Sequence, residues 1–434
     1  MNEISVDQAL AKAKSFLIKG KTNEASDFYS FVLDRFPKNK RAHDGLVITH
    51  DILAGDHLGS IISEYNQGEL ATVVERVQSL TKKLTHASLL WNILGVAFND
   101  QKRSEEAIQS LKTAISLKYD FAEAYFNIGS VFYERADYRA AINNFQQALK
   151  FKPQYFDALN NLGSAFRGVG ELEAALRSFE RAVKINPNNA STYFNVGVIL
   201  HDQGNNEEAI NAYSKAISLK SNCAPFYNNL GVALKDTGNK KKALEAYEKA
   251  LSIDPDYIEA LNNAGAVLNS QGQKRAAIEA LKKALNIEPN YHDAYVNMSN
   301  ALQRTAFSDH DEHLQKVIVS LLERKTIVCP RNISDAAISL LKCDPNLKHF
   351  FKKRSADESI KSLQVALDKL SGSSLLIKLM SVCPIIDIKL EILLTDIRSM
   401  LLSCISKFTA TPNILRFLSA LALQCHTNGY IYAQ

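Results

Sequence analysis

The sequence predicts an all-α protein, an α-solenoid of stacked helix pairs followed by a helical region that does not repeat. Two observations carry this. Asn127, Asn161, Asn195, Asn229, Asn263 and Asn297 recur at a period of 34. Two residues after each comes a small one, Gly129, Gly163, Gly197, Gly231, Gly265 and finally Ser299.

The rest of the period reads as a second helix and a stop. Ala141, Ala175, Ala209, Ala243 and Ala277 are followed seven residues on by Ala148, Ala182, Ala216, Ala250 and Ala284, with Phe145, Phe179, Tyr213, Tyr247 and Leu281 between them. Small residues let two helices approach, and the large side chain fills the space beside them. Pro153, Pro187, Pro255 and Pro289 then close the unit, because proline cannot continue a helix. One earlier unit, Trp91, Leu94, Gly95, Phe98, Ala107, Leu111 and Ala114, keeps the pattern with Tyr119 in place of the proline.

Residues 1–86 are a diverged beginning. Ala9, Phe16, Gly20, Ala25, Tyr29 and Pro37 fit one unit; after it, Leu46–Leu53 and Ile61–Tyr65 read as separate helices, with a turn at Asn66-Gln67-Gly68 before Leu70–Leu84. Terminal repeats are expected to be atypical, since an end unit shows one face to water. Residues 87–305 form the array proper, six full units and a last first helix. Where the next second-helix alanine is due stands Asp311, and residues 306–434 keep helical spacing without the period. Segments His313–Arg324, Ser334–Leu341, Ser359–Leu370, Leu375–Met380, Ile388–Phe408 and Ile414–Leu423 are punctuated by Pro330, Pro345, Gly372, Pro384 and Pro412. They read as a helical cap or a separate helical domain.

The order Trp-x2-Leu-Gly-x2-aromatic, Ala-x3-aromatic, Pro at a period of 34 resembles the tetratricopeptide repeat. The resemblance implies a right-handed superhelix whose first helices line a concave groove. The run Asp157-Ala158-Leu159-Asn160-Asn161-Leu162-Gly163 and its counterparts are similar to the repeats of the O-linked N-acetylglucosamine transferase family, whose inner asparagines bind the main chain of substrate peptides. By that resemblance the six ladder asparagines are peptide-binding; Ile93 stands at the preceding rung, with Asn92 beside it, so the ladder ends there. Residues 66–95, Ile333–Pro345 and Phe417–Tyr432 are similar to connectors of bacterial repeat proteins that carry a methyltransferase, sulfotransferase or glycosyltransferase domain. This chain would then be the substrate-recruiting part of a larger transferase.

An asparagine suits a ladder because its side chain has both a carbonyl acceptor and an amide donor, matching a peptide group's N–H and C=O. Helix spacings of roughly 8–10 Å against about 3.3 Å per extended residue match one repeat to about three ligand residues. A hydrogen bond contributes only about 0.5–1.5 kcal/mol, so several rungs are needed to hold a ligand. The same asparagines are equally suited to bonding an adjacent helix. Selectivity would come from the residue before each rung (Phe126, Asn160, Phe194, Asn228, Asn262) and the third after it (Ser130, Ser164, Val198, Val232, Ala266, Asn300).

Composition excludes other classes. The net charge of +5 over 434 residues comes from interspersed Lys, Arg, Asp and Glu. That pattern points to neither nucleic acid nor a membrane surface. The start MNEISVDQAL has no basic and apolar leader pattern, so a soluble, unexported, cytoplasmic protein is expected. Cys223, Cys329, Cys343, Cys383, Cys404 and Cys425 form no CxxC pair and read as buried reduced thiols. His310-Asp311-Glu312-His313 sets two histidines beside two carboxylates, a metal-binding pattern that also suits a helix start. No cofactor, metal or catalytic residue is assigned, and the expected role is a non-catalytic scaffold for a protein or extended peptide. A homodimer through convex or C-terminal apolar faces stays open.

Overall fold

A computed structural model describes residues 4–324, 326, 329–351, 360–383, 387–404 and 411–427. Every regular element among them is an α-helix. They divide into two compact units, Met1–Lys220 and Ser221–Gln434.

The first unit opens with α1 (Val6–Ile18), α2 (Thr22–Arg35), α3 (Lys40–Asn66) and α4 (Leu70–Lys83). Four helix pairs follow: α5 (Ser88–Asp100) with α6 (Ser104–Leu117), α7 (Ala122–Glu134) with α8 (Tyr138–Phe151), α9 (Phe156–Gly168) with α10 (Leu172–Ile185), and α11 (Ala190–Asp202) with α12 (Asn206–Leu219). Each pair closes over a glycine: a methyl group at Gly163 would lie 2.7 Å from the ring of Phe179, and one at Gly129 2.6 Å from Phe145. Both rings are fully buried. The two helices of a pair touch each other, and each first helix also touches the next one, α3 on α5, α5 on α7, α7 on α9 and α9 on α11. First helices therefore form one layer of the unit.

A left-handed residue ends each of these first helices. At Gly204 (φ 81°) the Asn205 N–H reaches Leu200 O at 2.8 Å and the Gly204 N–H reaches His201 O at 2.9 Å. These bonds satisfy the last carbonyls of the helix. Gly170 does the same, but Lys102 (φ 61°) and Ala136 (φ 58°) hold this conformation with a Cβ. Each such residue costs about 1 kcal/mol.

Residues 40–66 correct the sequence reading, which split them into two helices. They form one helix of 27 residues. No proline interrupts it, and Leu46, Val47, Ala54 and Ile61 are all buried, so its two halves pack on different neighbours without a break. The middle of α3 also holds the start of α5. Asp51 Oδ1 accepts the Leu89 N–H at 2.9 Å, and its Oδ2 accepts the Ser88 hydroxyl at 2.7 Å. His50 Nδ1 accepts the His86 N–H at 3.2 Å, and His50 Nε2 lies 3.1 Å from Ser26 Oγ. With Nδ1 accepting, the ring proton sits on Nε2, which donates to the serine.

The second unit continues the pairs with α13 (Ala224–Asp236) and α14 (Lys240–Ile253), α15 (Ile258–Ser270) and α16 (Lys274–Ile287), and ends them with α17 (His292–Leu302). The helices α18 (Glu312–Glu323), α19 (Pro330–Cys343), α20 (Ile360–Ser371), α21 (Ser374–Val382), α22 (Ile388–Cys404) and α23 (Pro412–Thr427) follow. One apolar core joins Leu281, Tyr295 and Met298 to Leu314, Ile318, Ile333, Leu376 and Phe417. Within this unit the non-repeating helices thus cap the repeats. Ser359, Pro384, Phe408 and Tyr432 lie outside the described residues.

Among the described residues no helix is long and apolar enough to cross a membrane. The thiols depart from expectation in part. Cys383 is buried, Cys223 and Cys343 are half-buried, and Cys329 is exposed because it is the N-cap of α19. The side chains of Cys404 and Cys425 lie outside the described residues.

Candidate functional site

All six ladder asparagines are half-buried on first helices, but they are not equivalent. In the first unit Asn127 donates its Nδ2 to Asn92 Oδ1 at 2.8 Å, one repeat earlier. In the second, Asn263 donates to Asn228 Oδ1 at 3.0 Å and Asn297 to Asn262 Oδ1 at 2.8 Å. These three amides join stacked helices. Asn229 Oδ1 accepts from Asn228 Nδ2 at 3.2 Å. Asn161 and Asn195 have no side-chain hydrogen bond among the described residues.

The residue 35 positions earlier decides between these states in the first unit. Asn92 offers Asn127 an acceptor. Phe126, which precedes Asn161 by that interval, offers none: its ring packs on Phe145 and Tyr155, with centroids 5.8 Å and 5.0 Å away. Asn160, which precedes Asn195, is already engaged. It donates to Phe156 O at 3.1 Å and accepts the Thr192 hydroxyl at 2.9 Å. The spacing is readable in the sequence, although the alignment on a period of 34 draws attention away from it.

The neighbouring positions are largely committed to packing. The Phe194 ring lies tilted against that of Tyr213, with centroids 5.7 Å apart. The Ser130 and Ser164 hydroxyls donate to Phe126 O and Asn160 O, each at 3.1 Å, within their own helices. Val198, Val232 and Ala266 are half-buried, and Asn300 is exposed.

Carboxylates that sequence reasoning passed over share the ladder's face. Glu123 and Asp157 lie four residues before their rungs, Glu134 and Asp202 seven after, and Asp100 seven after Ile93. Intervals of four and seven return to the same side of a helix. At the other candidate, Asp311 caps α18 by accepting the Leu314 N–H at 2.8 Å and pairs with Lys282 Nζ at 2.7 Å. The acidic turn between His310 and His313 is thereby a helix start, and no group of three or more His, Cys, Asp or Glu among the described residues is placed to hold a metal ion.

No curated protein matches the chain. Among solved structures, MamA shares 30% identity over 37% of this chain and 95% of its own, with a TM-score of 0.35. YrrB, described as a TPR protein with an unusual peptide-binding site, shares 25% over 43% of this chain and 97% of its own, with a TM-score of 0.39. The Cut9–Hcn1 hetero-tetramer of APC/C gives 17%, 69% and 56%, with a TM-score of 0.47. A family model described as TPR repeat matches residues 95–135, 129–170, 163–204 and 197–238, and models described as tetratricopeptide repeat match 224–257 and 246–279. Over residues 95–279 the chain is a tetratricopeptide-repeat protein.

Proposed function

We propose that this protein is a non-catalytic interaction scaffold that holds extended segments of a partner protein along the first helices of its units, through the ladder residues Asn127, Asn161 and Asn195 in the first and Asn229, Asn263 and Asn297 in the second. The observation that carries the reading is the state of Asn161 and Asn195, whose half-buried amides in consecutive repeats have no partner within the described chain. A half-buried amide without a protein partner relies on water or a ligand. Each offers a donor and an acceptor, the complement of a peptide group. Asn127, Asn263 and Asn297 each commit one of their two amide hydrogens to stacking and so have less freedom to turn toward a ligand.

The test is a displayed library of unstructured 15-residue peptides probed with the wild type and with Asn161→Ala/Asn195→Ala. Selected peptides should lose at least about fivefold in affinity while far-UV circular dichroism is unchanged, since two lost hydrogen bonds amount to about 1–3 kcal/mol. Equal affinity for both proteins would sink the ladder's role.

A further inference from the structure

We infer that the segment held along the first-helix layer of the Met1–Lys220 unit is cationic, carrying Lys or Arg beside its extended main chain. This rests on the reading of the ladder as a peptide site and names the chemistry of its ligand.

The two helix layers of this unit differ in charge balance. The first helices α5, α7, α9 and α11 carry five carboxylates, Asp100, Glu123, Glu134, Asp157 and Asp202, against one basic residue, Arg167. Their partners α6, α8, α10 and α12 carry seven basic and six acidic residues. In a protein of net charge +5 the layer that bears the asparagines is thus the acidic one.

Position sharpens the contrast. All five carboxylates lie four before or seven after a rung, at opposite ends of helices of 13 residues, while Arg167 is not on that stripe. At about 1.5 Å per residue the two acidic rows flank the asparagines roughly 16 Å apart. A main chain lying on the rungs would pass between them, with long basic side chains able to reach either row.

Three carboxylates already have cations within the chain. Glu123 meets Lys152 at 2.8 Å, Glu134 meets Lys102 at 3.3 Å, and Asp202 meets Arg167 at 2.7 Å. All three pairs are solvent-exposed and contribute little, so a ligand's cation can replace the internal one. Asp100 receives only the neutral hydroxyl of Tyr65, and Asp157 has no partner among the described residues. These two are the uncompensated charges beside the ladder.

The experiment uses three labelled 15-residue peptides, alternating Ser-Lys, Ser-Gln and Ser-Glu, in fluorescence anisotropy at low salt. Ser-Lys should bind about tenfold more tightly than Ser-Gln, and Ser-Glu most weakly, because two exposed pairs together supply about 1.4 kcal/mol. In Asp100→Asn/Asp157→Asn that preference should fall to within about threefold. In Asn161→Ala/Asn195→Ala, by contrast, Ser-Lys and Ser-Gln should weaken in equal proportion. Equal binding of Ser-Lys and Ser-Gln by the wild type overturns the cationic ligand and leaves the ladder standing. A preference that survives Asp100→Asn/Asp157→Asn overturns it too, because the charge is then read elsewhere. Failure of all three peptides to bind the wild type overturns both readings.

Discussion

Asn127 donates its side-chain amide to the side-chain oxygen of Asn92, 2.8 Å away on the preceding first helix. The bond makes this rung part of the stack. Asn92→Ala or Asn127→Ala should therefore destabilise the protein by about 1 kcal/mol in urea unfolding, the usual worth of one such bond. Asn161→Ala and Asn195→Ala should stay within about 0.5 kcal/mol of wild type, since neither loses a contact within the chain. The reverse pattern would assign structure to the bare pair.

The glycine–aromatic pairs set a second contrast. Gly163→Ala places its methyl 2.7 Å from the Phe179 ring. Overpacking of that kind should cost about 2–3 kcal/mol. Ala136→Gly relieves a left-handed alanine with φ 58°. The relief should add about 0.5–1 kcal/mol, after the greater freedom of glycine in the unfolded chain is subtracted. Urea midpoints of the two variants should move in opposite directions.

Tyr247 occupies the place that Phe145 and Phe179 fill in earlier repeats, yet its hydroxyl is buried without a hydrogen-bond partner among the described residues. Burial, assisted by the charge of Asp236, drives its pKa far up. Tyr247→Phe removes the unsatisfied group and should raise stability by about 1 kcal/mol, measured as a higher melting temperature.

Acid should weaken the first unit through His50. Burial, and then the neighbouring His86, push its pKa from 6.5 down to about 4. The unfolded chain therefore binds the proton more readily between those values, so stability is intact above about pH 6.5 and falls as the pH drops toward 4. The loss should reach about 2–3 kcal/mol. His50→Gln should flatten the dependence of the urea midpoint over this range, and an unchanged slope would assign the effect to other groups.

Much of the fold is legible from spacing because it is local. Gly129 with Phe145 and Gly163 with Phe179 stand at one and the same interval, and that interval alone brings the first helix of a pair onto its second. The segment from Leu46 to Tyr65 defeats the same reading, although only Gly55 and Gly59 weaken helical propensity near its middle. Their positions are solvent-exposed, with nothing near where a Cβ would stand, and the buried residues on either side keep the helix whole.

By itself the sequence determined the helix pairs, their period of 34 and the identity of the six asparagines. Tertiary structure decided which of those asparagines bond within the stack. A side-chain amide reaches across the stack to a residue 35 positions back, so Asn92 engages Asn127, while Phe126 and the already bonded Asn160 leave Asn161 and Asn195 bare. It also decided the electrostatics: the first helices α5, α7, α9 and α11 are acidic while their partners are mixed, and the helical interval returns each carboxylate of these first helices to the face that carries the ladder.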